Sequence, residues 1–197
     1  MKPSRPSLAL DVIRPIASRW VESARASLQR DDALTRAALE TSFAWSRAEE
    51  GDRERLRMFI VDQFAAIDRV LHDAERIFRT PSSWAVRRYF GRRPPPAYAV
   101  SGHVYFTSAF RLRRAGRGFG PMCLAAMVVH ESVHVFDARS GEPEIHVSEW
   151  DEPRFSAIPP EQQAHNPSAY ACYAAQVHHG RLEWPREARF GAGRPRD

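Results

Sequence analysis

Leu10, Ile13, Ile16, Trp20, Ala24 and Leu28 recur at helical spacing and predict a helix over residues 8–30, with Pro15 marking a kink or its true start. A second helix is expected from Asp32 to Arg47, with Leu34, Ala37 and Phe43 turned inward. The clearest pattern lies at 52–78. Leu56, Phe59, Ile60, Phe64, Ile67, Val70, Leu71, Ala74, Ile77 and Phe78 form one apolar stripe, and the charged residues fall on the other face. Thr80-Pro81 reads as an N-cap followed by a first-turn proline, opening a short helix to Tyr89.

The run Gly91-Arg-Arg-Pro-Pro-Pro96 breaks the helical pattern. After it, Ala97 to Phe110 is the best strand region, and Arg111 to Gly120 is a basic, glycine-punctuated loop. Pro121 then opens an apolar helix, Met122 to about Asp137. Residues 138–165 carry Gly141, Pro143, Pro153, Pro159 and Pro160 and read as irregular. Asn166-Pro167 again pairs a cap with a first-turn proline, starting a helix to about His178. The expected fold is α+β and mainly helical. A helical part (1–91) packs on a core (92–180) with a small sheet beside the apolar helix, and a basic tail (181–197) follows. These make a single compact unit, and no internal repeat is visible.

Composition narrows the class. A chain of 197 residues with 43% hydrophobic and 27% charged residues can bury a real core. No apolar run is long enough to span a bilayer, and Met1 to Trp20 lacks the continuous apolar stretch of a secretory signal. The expectation is a cytoplasmic protein with no membrane partner, or one exported by a route independent of a signal peptide. Two cysteines, Cys123 and Cys172, exclude a disulfide framework and are expected to be buried small hydrophobes. The net charge is +5, and Lys2 is the only lysine. Arginine grips phosphate well, but acids are interspersed, as in Asp52-Arg53-Glu54-Arg55. This weighs against nucleic acid as a partner.

The chemistry sits in the apolar helix, at His130-Glu131-Ser132-Val133-His134. Residues i and i+4 lie one above the other on a helix face, so both imidazoles can point at one cation. Imidazole suits Zn2+ at neutral pH. Glu131 lies beside such an ion without binding it, where it can serve as general base toward water and later protonate a leaving amine. A third protein ligand is needed. Downstream of the motif stand Asp137, Glu142, Glu144, His146, Glu149, Asp151, Glu152, His165, His178 and His179. Asp137 is less than a turn past His134 and points elsewhere, His178 and His179 read as an exposed pair at a helix end, and His165 flanks a cap. The segment Ser148–Phe155 is densest in acids.

The chain resembles the aspzincins, the deuterolysin and peptidyl-lysine metallopeptidase group of zinc endopeptidases. Four features match in order over roughly residues 50–178: Arg88-Tyr-Phe-Gly91, His103-Val-Tyr-Phe-Thr-Ser-Ala-Phe110, the zinc motif at 130–134, and Asn166-Pro-Ser-Ala-Tyr-Ala-Cys-Tyr173. The resemblance implies a zincin-like core, a zinc cofactor and an endopeptidase acting on peptide or protein substrates. It also implies an aspartate as third ligand, with a tyrosine three residues on assisting at the oxyanion. Here the pattern departs. Matching Phe155 to that tyrosine makes Glu152 the ligand, whereas matching residue type makes it Asp151, with Arg154 three residues on. Only one of these neighbours is expected to ligate. Arg154, Tyr170, Tyr173 or the metal alone then remains for the oxyanion, with packing the preferred role for the two tyrosines. Two other functions compete: an inactive zinc-stabilised protein-interaction module, and an arginine-rich nucleic-acid binder using the 111–118 loop and the tail.

Overall fold

Two nearly all-apolar helices form the centre of the molecule, and the rest of the chain is laid around them. The computed structural model describes residues 8–30, 32–92, 94–112, 119–140, 145–147 and 152–182. In chain order the elements are α1 (Leu8–Arg30), α2 (Ala33–Phe43), a 3-10 turn (Trp45–Arg47), α3 (Glu50–His72), α4 (Ala74–Ile77), β1 (Phe78–Arg79) and α5 (Ser83–Phe90). They continue with β2 (Ala97–Val100), β3 (His103–Phe106), α6 (Pro121–Ser140), α7 (Glu152–Ala157), α8 (Pro160–Gln163) and α9 (Pro167–His179). The fold is α+β and mainly helical, as the sequence pattern predicts.

α9 is buried on every side from Pro167 to Val177, and α6 is buried without interruption from Cys123 to Val129. A helix apolar all round belongs in a core. α6 and α9 pack against each other, α1 lies against both, α2 covers α9, and α3 supports α1 and α6. Tyr170 and Tyr173 sit at the centre. Phe43 and Phe64 meet Tyr170 edge-on at ring-centroid distances of 5.2 and 5.3 Å. One continuous apolar cluster runs from Leu10 to Val177, so the amino-terminal helices and the later elements share a core.

The sheet has strand order β1-β3-β2, with β1 parallel and β2 antiparallel to β3. The register pairs Ala97 with Phe106, Tyr98 with Tyr105, Ala99 with Val104 and Val100 with His103. Ala97, Val104 and Phe106 are buried in the same core as α6, which packs on β2 and β3, so Tyr98 and Tyr105 lie on the opposite face. The expected strand region 97–110 is thus a hairpin. Its two-residue turn, Ser101-Gly102, has φ of 51° and 73°. Positive φ at both positions is the twist that a tight hairpin requires.

Several boundaries move for local reasons. The expected helix 32–47 stops at Phe43 because Ala44 is left-handed (φ 51°), and its buried side is Thr35, Ala38, Leu39, Ser42 and Phe43, one position on from Leu34 and Ala37. The 52–78 stripe ends as a helix at Ile77, and Phe78 enters β1. Ser82, not Thr80, caps α5, accepting from the Ala85 N–H at 3.3 Å. Within 138–165 the chain extends α6 to Ser140 and forms α7 and α8. Asn166 caps α9 as expected, its side chain accepting from the Ser168 N–H at 3.2 Å. Both cysteines are buried. No helix among the described residues is long and apolar enough to cross a membrane.

Candidate metal centre

The apolar run Leu124–Val129 fixes α6 in the core, and the same helix then carries His130-Glu-Ser-Val-His134 to its open side. Ser132 and Val133 are buried, and Ser132 closes on its own helix by donating to the Val128 carbonyl at 2.7 Å. His130 and Glu131 are half-buried, and His134 is buried with 7% exposure. The His130 and His134 ring centroids are 5.0 Å apart, as the i,i+4 geometry demands.

The segment 145–147 brings a third imidazole to this face. The His146 ring lies 4.5 Å from that of His134 and 5.6 Å from that of His130. One ligand nitrogen from each of the three histidines can be chosen so that all lie within 4.8 Å of one another. Nitrogens on a tetrahedral zinc ion stand about 3.3 Å apart, so the three rings need close by only a small amount around a cation. Exposure rises from His134 through His130 to His146, which leaves one side of the group toward solvent.

The electrostatics suit ligation. Burial first, then the neighbouring His134 and His146, hold the His130 imidazole well below the usual histidine range. A neutral imidazole keeps the lone pair that a metal requires.

A second layer comes from the start of α9. Ser168 Oγ lies 3.4 Å from His130 Nδ1, and a contact at Nδ1 leaves Nε2 as the nitrogen for a cation. Asn166 is fully buried, and its Nδ2 donates to the Val147 carbonyl and to Gln163 Oε1, each at 2.9 Å. One side chain thereby caps α9 and fastens the segment that carries His146. Gln163 in turn donates to the Phe155 carbonyl at 3.2 Å, joining α7 to the same network.

Among the described residues, His146 is the third-ligand candidate that the fold brings to the pair. Asp151 lies outside the described residues, as do Glu142, Glu144, Glu149 and the side chains of Asp137 and Glu152. His165 instead lies tilted against Phe59, ring centroids 4.9 Å apart, and lines a small surface pocket with Leu56 and Ala164. His178 is not merely an exposed helix end: its Nδ1 is 2.9 Å from Ser23 Oγ, and its ring stands beside Trp20 where α9 meets α1. The two tyrosines are committed to packing. Tyr170 donates to the Ala164 carbonyl and Tyr173 pairs with Ser27, both at 2.7 Å, and burial pushes the Tyr173 phenol up to about 12. Phe155 is buried and has no hydroxyl to offer.

His146 had a weak signal in the sequence. It is a histidine just past a Gly/Pro-rich stretch, of the residue type that zinc prefers, but nothing local says that the chain returns to α6 there. Asn166 was legible as a cap, whereas its hold on Val147 was not. Comparison with protein-family models, with curated proteins and with solved structures finds no match to this chain.

Proposed function

We propose that the chain is a zinc-dependent metallopeptidase with a zincin-like core, in which His130, His134 and His146 hold the ion and Glu131 is the general base. The observation that carries this reading is the convergence of three imidazoles, two of them from the motif that also carries Glu131, with the third, His146, exposed. Three protein ligands and an open position are the arrangement of catalytic rather than structural zinc. The ordered resemblance to the aspzincins supports a peptide bond as the substrate and an endopeptidase as the enzyme.

A bound zinc ion would lower the pKa of water and polarise the substrate carbonyl. Glu131 takes the proton from the attacking water and returns it to the amine as the peptide bond breaks. Ser168, at His130 Nδ1, holds the ring orientation, and Asn166 holds the chain beside His146. His146 replaces the acid that the resemblance implies, so the site carries one less negative charge than a His-His-Asp set and favours an anionic transition state more strongly.

A second reading is a zinc-stabilised interaction module without turnover. The occupied hydroxyls of Tyr170 and Tyr173 favour it, because neither is available to an oxyanion. One experiment separates the two. Bound zinc is quantified, and cleavage of a mixed peptide library is followed with and without chelator, in the native protein and in Glu131→Gln. One zinc per chain in both, with chelator-sensitive cleavage by the native protein alone, supports the peptidase. One zinc in both and no cleavage by either supports the module. No stoichiometric metal overturns both.

A further inference from the structure

Residues 76–130 contain ten arginines and not one aspartate or glutamate, so the rest of the chain holds all 24 acids against 19 basic residues. This carboxylate-free stretch is also the one that builds α5 and the β2–β3 hairpin. On the hairpin face turned away from α6, Tyr98 and Tyr105 lie stacked, with ring centroids 5.1 Å apart and planes 9° from parallel. The end of α5 abuts them through Phe90, 4.9 Å from Tyr98. Along α5, Trp84 is 69% and Tyr89 77% exposed, and Arg88 lies over the Trp84 ring at 5.3 Å. Arg87 and Arg88 are exposed and, among the described residues, neither forms an ion pair. Large aromatics this exposed mark an interaction surface.

We propose that this face binds single-stranded nucleic acid, the arginines meeting phosphates and the flat rings of Trp84, Tyr89 and the tyrosine pair stacking on bases. A protein partner would be matched by mixed charge, whereas a stretch without carboxylates, building both α5 and the hairpin, suits a polyanion. Exposed aromatics interleaved with arginine are the sequence-tolerant platform for unpaired bases. The face is on the far side of the sheet from the histidine cluster, so this inference does not rest on the peptidase reading.

The test is fluorescence anisotropy of a labelled oligothymidylate of about 20 nucleotides, titrated with the full chain between about 50 and 200 mM salt. Binding is expected to weaken steeply with salt and to ignore chelator. Trp84→Ala should weaken it by about fivefold or more, through lost stacking. Arg87→Gln with Arg88→Gln should flatten the salt slope by roughly 0.7 per arginine removed. These side chains are exposed, so thermal melting should remain close to that of the native protein. No anisotropy change at the lowest salt overturns the proposal. Binding that both variants leave intact overturns it too, by assigning the contact to another part of the chain. A labelled polyglutamate that binds in place of the oligonucleotide, and is lost in the same variants, overturns it in favour of an acidic protein partner.

Discussion

Asn166 Nδ2 donates to the backbone carbonyl of Val147 at 2.9 Å, so the residue that begins α9 also anchors the chain immediately after His146. The same side chain accepts from the Ser168 N–H, and Ser168 Oγ stands at His130 Nδ1. A single buried amide therefore links the two parts of the cluster that are far apart in sequence. Its replacement has two separable effects. Asn166→Ala removes the cap, at a cost of about 1 kcal/mol, and weakens zinc by about 10- to 100-fold through loss of outer-layer support. Asn166→Asp keeps the cap acceptor but cannot donate to Val147. It also sets a buried carboxylate against the Val147 carbonyl and Gln163 Oε1, so it should be no more stable than Asn166→Ala and should lose zinc affinity all the same. Melting curves and competition with a chromophoric chelator measure the two quantities. Zinc affinity kept by Asn166→Asp and lost only in Asn166→Ala would reduce Asn166 to a cap.

His146 divides the third-ligand question. His146→Ala should lower bound zinc well below one per chain, while Asp151→Ala and Glu152→Ala leave it at one. Elemental analysis after dialysis against a weak chelator gives the answer. Retention of zinc by His146→Ala with its loss in either acid variant would return the ligand to the acidic segment that the aspzincin resemblance indicates.

How much of this was legible in advance depended on how local the determinant was. The helix of His130 and His134 was readable because a 3.6-residue period and an i,i+4 pair are both short-range facts. The cap at Asn166 was readable for the same reason. The break after Phe43 was not, since it rests on Ala44 adopting φ 51°, which alanine chemistry does not announce. Nor was Phe78, whose place in β1 depends on pairing with Val104, a partner 26 residues away. His146 belongs with these. Its position near α6 follows from the Asn166–Val147 bond and the packing of α9, not from its own neighbours in sequence.

The tyrosines of α9 offer a check on the chemistry. Tyr173 pairs with Ser27 and Tyr170 donates to Ala164, both in the core. Tyr173→Phe should cost about 0.5–1.5 kcal/mol of stability by removing one buried hydrogen bond, and slightly more if Ser27 is left unsatisfied. Zinc content and the rate of peptide cleavage should not change. A fall in turnover with unaltered substrate affinity and unaltered melting would instead give the phenol a part in the reaction.

The pH dependence of the metal-free protein follows from His130. Its folded pKa lies well below the ordinary histidine value of 6.5, with burial as the main cause. The unfolded chain therefore binds the proton more readily than the folded one, and stability rises with pH wherever that difference operates. The contribution is complete above about pH 6.5 and is lost as the pH falls from there toward the folded pKa. His178 and His179, also lowered chiefly by burial, act in the same direction but are more exposed. Melting of the chelated protein should drop between neutral pH and the acid side of this window. His130→Gln should flatten that drop, since glutamine carries no proton across it. Zinc protects against the same drop, because protons and the cation compete for one nitrogen. An equally steep acid limb in His130→Gln would move its origin to His178 and His179, where α9 meets α1.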